Sequence, residues 1–148
     1  MSKWNIPLIL KRMIEVLLFL APIFMVVLPF VFRLDNPVVG KVFPSWVTLL
    51  FIELSGVFCW LILLMLRRLL TTVIESSPFV FGNVQCLKRI SYFCAAIALL
   101  MLIKTFLDFS VMTPIVAILA LLSSLFCQTL AMVFDKAVRI KDENDLTI

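Results

Sequence analysis

Val111 to Phe134 reads VMTPIVAILALLSSLFCQTLAMVF without one charged residue, and Asp135 to Lys141 then reads DKAVRIK. A helix needs about 20 mostly apolar residues, at about 1.5 Å rise each, to cross the hydrocarbon core of a bilayer. This stretch meets that length and ends abruptly in charge. Three more stretches of the same kind precede it, at Met13–Phe32, Trp46–Leu66 and Ile90–Leu107. The expected fold is all-α: a four-helix transmembrane bundle forming one membrane domain over residues 1–148, with a loop at 67–89 and a tail at 135–148. Composition points the same way. The chain is 64% hydrophobic and 15% charged, with mean hydropathy +1.18, whereas soluble domains run nearer 45–50% and about 25%. A soluble fold would lack the polar surface to cover this much Leu, Phe, Val and Ile.

Orientation follows from Lys and Arg near the segment ends. Placing the N-terminus inside leaves Lys3, Lys11, Arg12, Arg67, Arg68, Lys88, Arg89, Lys136, Arg139 and Lys141 cytoplasmic. Of the 13 basic residues, only Arg33, Lys41 and Lys104 then fall on the outer side. Both termini and the 67–89 loop are therefore expected inside. The first apolar run exceeds a signal-peptide core and no small-residue cleavage site follows it, so it reads as a retained helix. Cys59, Cys94 and Cys127 fall in predicted spans and Cys86 on the inner side. With no CxxC pair and no His, they read as small buried hydrophobes rather than metal ligands or disulfides, and no cofactor is expected.

The connections differ. Arg33–Ser45 carries Pro37, Gly40 and Pro44, all turn formers. The link near Asp108–Thr113 is tight, which predicts an antiparallel hairpin of helices three and four, with Pro114 near the start of the fourth. Inside, helix two is expected to continue through Leu69, Leu70 and Val73 to a stop at Glu75–Ser76–Ser77–Pro78. Ser77 fits an N-cap and Pro78 a first helical position. Val80, Val84 and Leu87 then form a helical stripe, read as a short interfacial helix whose Lys88 and Arg89 favour anionic lipid. After Lys141 the chain ends Asp142–Glu143–Asn144–Asp145–Leu146–Thr147–Ile148, which by itself reads as a solvated, frayed tail.

Ionisable groups at membrane depth are few. Glu15 is explained by Lys11 and Arg12 one turn away, and Lys104 by Asp108 or by snorkelling. Glu53 stands about 10 Å inside helix two with no basic residue within a turn. It reads as a partner of Lys104 across the bundle, as a neutral buried carboxyl, or as a site of ion or proton traffic. Close helix contact is expected at Ser55, Gly56, Ala95, Ala96, Ala98, Ala117, Ala120, Ser123 and Ser124. Helix one is expected to face lipid or to pack between helices through bulk, and the Phe- and Leu-rich outer faces of the bundle suit lipid or a second copy equally.

The run Pro78–Phe79–Val80, Asn83–Val84 and Leu87–Lys88–Arg89–Ile90 resembles the loop signature of the YoaS-like bacterial membrane proteins, a family of unknown function. The ending Glu143–Asn144–Asp145–Leu146–Thr147–Ile148 resembles that family's closing motif. Ser77 and Asp142 depart from it, standing where Asn or Asp and Glu are common. The resemblance implies a bacterial, Gram-positive cytoplasmic-membrane protein encoded beside a small helix-turn-helix regulator of the Cro/repressor type.

Two functions of different class are thus expected. The first is restraint or anchoring of such a regulator through Pro78, Phe79, Asn83, Leu87, Lys88, Arg89 and residues 143–148, with no direct nucleic-acid binding. The second is a small proton-coupled transporter using Glu53, an idea that uptake surviving Glu53→Gln would sink. An enzyme is not expected: there are no paired carboxylates at one depth and no Gly-rich phosphate loop among three glycines.

Overall fold

The computed structural model describes residues 5–33, 46–75, 80–107 and 111–146. Apart from Val80 and Val111, every described residue is helical, as a chain in lipid must be to satisfy its own backbone. The elements are α1 (Asn5–Arg33), α2 (Trp46–Glu75), α3 (Phe81–Leu107) and α4 (Met112–Leu146). All four are long and apolar enough to cross a membrane, which makes the chain a multi-pass membrane protein.

The helices pack in chain order. Among the described residues α1 lies against α2, α2 against α3 and α3 against α4, and no other pair approaches closely. The bundle is therefore an open row with α3 at its centre: 39% of the apolar window of α3 is buried, against 6% for α1. Contacts run antiparallel throughout, so the start of α1 and the end of α4 lie at one end of the molecule. That end also carries most of the basic residues, and it is called the basic end below.

The α3–α4 seam is the tightest. On α3, Val84, Leu87, Ser91, Cys94, Ala98 and Met101 are buried and alternate by three and four residues, the spacing of a coiled-coil stripe. On α4, Ala117, Ser124, Ala131 and Val138 are buried at every seventh position. Small residues there let the backbones approach, the main route to helix association in lipid. At mid-seam the Ser124 hydroxyl donates to Ser91 O at 2.9 Å, and the Ser91 hydroxyl donates to Ser124 O at 2.9 Å. Ser91 Oγ also lies 3.1 Å from the Gln128 side-chain amide. A hydroxyl has one hydrogen, so turning that amide to donate its N–H₂ to Ser91 Oγ closes the network.

The α1–α2 joint rests on proline chemistry. Pro22 and Pro29 lie inside α1 and have no N–H, so the carbonyls of Leu18 and Met25 lose their donors four residues on. The Trp60 indole N–H donates to Leu18 O at 3.3 Å, replacing one of them from the neighbouring helix. Gly56 lies beneath Met25: a Cβ there would stand 2.7 Å from Met25 Cε. Nearer the basic end, Glu15 pairs with Arg67 at 3.6 Å. Its ion-pair partner is thus on α2, not Lys11 or Arg12 within α1.

Several expectations are corrected. Among the described residues no separate interfacial helix precedes α3. Val80 is non-helical and its carbonyl accepts the Asn83 N–H at 2.9 Å, so α3 begins at Phe81 and Pro78 is not its first position. It then runs unbroken, because neither Gly nor Pro occurs from Asn83 to Leu107. The tail is helical to Leu146, because α4 continues to that residue. Ser123 is exposed and bonds back to Leu119 O, leaving the seam to Ser124, and Cys59 is exposed rather than buried. Ser76 and Ser77, the 34–45 connection and Asp108 lie outside the described residues.

Candidate functional site at the basic end

Three contacts fix the level of the basic residues. Glu15 meets Arg67, Leu69 packs against the cluster of Val84, Leu87, Ala131 and Val138, and Ser91 meets Ser124 and Gln128. Arg12, Arg67, Arg68, Lys88 and Arg89 therefore form one belt, all exposed, with Gln128 at the same level on α4. Such a belt suits a membrane surface, where long cationic side chains reach headgroups.

The helices do not stop at the belt. Beyond it, Val84 and Leu87 of α3 and Ala131 and Val138 of α4 form a buried cluster, joined by Leu69, Leu130 and Phe134. Leu130, Ala131 and Phe134, which hydropathy alone assigns to the fourth span, serve here as the core of a three-helix cap. From Gln128 to Leu146, α4 extends about 27 Å. Beyond Val138 it has passed the start of α3 at Phe81.

The open face of this extension is apolar. Met132, Val133 and Ile140 are 55%, 57% and 60% exposed, and Leu146 at the tip is 87% exposed. Val133 and Ile140 stand one heptad apart, two residues on from Ala131 and Val138, and so on the opposite side of α4 from the seam. Charged groups flank them: Asp135 and Arg139 pair at 3.3 Å, and Lys136, Lys141, Asp142 and Glu143 are exposed.

The residues expected to bind a partner divide. Lys88 and Arg89 are exposed on α3, and Glu143, Asn144 and Leu146 on α4. Asn83 and Leu87 are buried, 1% and 8% exposed, Leu87 within the core of the cap. Pro78, Phe79, Thr147, Ile148 and the side chain of Asp145 lie outside what is described. Sequence reading missed Met132, Val133 and Ile140 as an exposed stripe. Their heptad spacing was the available signal, masked because most neighbouring positions are apolar too.

Glu53 and Lys104 belong to different contacts. Glu53 is seven residues before Trp60 and three before Gly56, on the face of α2 that meets α1. Lys104 is 4% exposed on α3, which packs on another side of α2 through Phe58 and Ile62. No ion pair joins the two, and Glu53 Oε1 is buried without a hydrogen-bond partner.

No curated protein and no solved structure matches the chain. A family model described as protein of unknown function (DUF2975) matches residues 14–148, from the buried Ile14 of α1 through the whole of the cap. The chain belongs to this uncharacterised family, DUF2975.

Proposed function

We propose that this protein holds a small cytosolic helix-turn-helix regulator at the cytoplasmic membrane of a bacterium, with the basic end inside and the α4 extension as the contact. The observation that carries this reading is the exposed Met132–Val133–Ile140 face on the part of α4 that continues past the basic belt. Amphipathic helices seat such faces in partner grooves through residues spaced one or two turns apart. Asp142 and Glu143 beside it add negative charge, which suits the Lys- and Arg-rich face that a DNA-binding regulator turns to phosphate. A regulator held there would be kept from DNA. The resemblance to the YoaS-like proteins, with their neighbouring regulators, supports the class of partner.

Cell fractionation tests it. With the intact protein, the encoded neighbouring regulator sediments with membranes. With Ile140→Asp, or with the chain ended after Lys141, it moves to the soluble fraction while the membrane protein stays at its normal level. A regulator that is soluble in all three strains contradicts the proposal.

A further inference from the structure

The α1–α2 joint repeats itself at a seven-residue interval. Pro22 frees the Leu18 carbonyl, and Trp60 donates to it. Seven residues on, Pro29 frees the Met25 carbonyl. In an antiparallel pair, seven residues forward on α1 correspond to seven back on α2. The partner at the Trp60 position in the second repeat is therefore Glu53. Gly56, one turn away, confirms the approach, for its missing Cβ is where the Met25 side chain lies.

A carboxylate cannot serve that carbonyl, because two acceptors repel. A carboxylic acid can, through its single O–H. Glu53 is half-buried and its Oε1 is buried with no partner, so an ionised form would set charge at membrane depth beside an acceptor whose intrahelical donor Pro29 removes. One proton resolves both. We propose that Glu53 is a proton-carrying latch, its acid O–H donating to the Met25 carbonyl that Pro29 leaves without an intrahelical donor.

The surrounding charges leave room for this. Among the described residues, the charged side chain that α3 brings to this end is Lys104, buried on another side of α2, and it makes no ion pair with Glu53. From α1, the only charged residue toward this end is Arg33, whose side chain lies outside the described residues. Within α2 no charged residue lies within a turn of Glu53. Ionisation of Glu53 would remove the donor and turn the contact repulsive, loosening α1 at its Pro29 end while the Trp60 contact, which does not titrate, still holds it at Leu18.

Infrared difference spectroscopy on the full-length protein in lipid vesicles tests the latch. At neutral pH a protonated-carboxyl C=O band should be present and should vanish in Glu53→Gln, which assigns it. Pro29→Ala returns an N–H to the Met25 carbonyl, so the band should shift upward as the acid loses its acceptor. Pro22→Ala should leave the band in place and serves as the control for altered helix flexibility. Absence of a Glu53 acid band at neutral pH overturns the proposal. A band that is present but shifts equally in both proline variants, or in neither, overturns it as well.

Discussion

Trp60 does for Leu18 what an amide N–H does in an uninterrupted helix, and the two are 42 positions apart in the chain. A single interhelical hydrogen bond in a membrane averages about 0.6 kcal/mol and reaches about 1.7. Trp60→Phe should therefore destabilise the protein by about that range in unfolding from detergent micelles. In a Pro22→Ala background the same substitution should cost less, because the carbonyl has regained its own donor. Equal costs in both backgrounds would show that Trp60 acts through packing alone. Ser124→Ala should cost a similar amount, since it removes the hydroxyl that donates across the seam to Ser91 O. The prolines were plain in the sequence; their consequence was not. The replacement donors sit on another helix, and only the register of α1 on α2 identifies them. The same register explains why pairing Glu53 with Lys104 by depth failed: depth could be counted along each helix, but facing could not.

At the scale of elements, the existence and rough placement of four helices were legible because apolar length alone decides them. Their faces were not. In helices where nearly every position is apolar, hydrophobic periodicity is flat, and side-chain size carries the pattern instead. Ala117, Ser124, Ala131 and Val138 mark the α4 seam at seven-residue intervals, yet inspection for small residues alone also picks Ser123, which points away. Ala131 is 0% exposed where α3 and α4 are in close contact. Ala131→Leu should force them apart at a cost of about 1–3 kcal/mol, lowering the thermal midpoint of helix loss. Val133→Leu, two residues along on the open face, should leave that midpoint unchanged. Comparable losses from both would contradict the seam. The start of the third helix was placed late for a related reason: Lys88 and Arg89 do stand in the basic belt, but on the exposed face of one continuous α3 that begins at Phe81.

The molecule as a whole is an open row of helices whose basic end continues into a packed cap beyond the belt. The excess of Lys and Arg predicts that this end is cytoplasmic. Alkaline phosphatase fused after Ile148 should then be inactive and a fluorescent protein at the same site bright. The opposite pattern would reverse the orientation and remove the regulator from reach. The cap, rather than the spans, distinguishes this chain from a minimal four-helix membrane protein, and it was half legible. Continuation of helix two and charge after Phe134 could be read directly. That Asn83 and Leu87 face inward while Val133 and Ile140 face outward could not, because which side of α4 receives α3 is settled by packing. The most direct test of the account is photocrosslinking in living cells from a benzoyl-phenylalanine placed at Ile140 or, in turn, at Val138. The account predicts an adduct with a small DNA-binding protein from position 140 and none from the buried position 138, whereas no adduct from 140, or equal adducts from both, would contradict it.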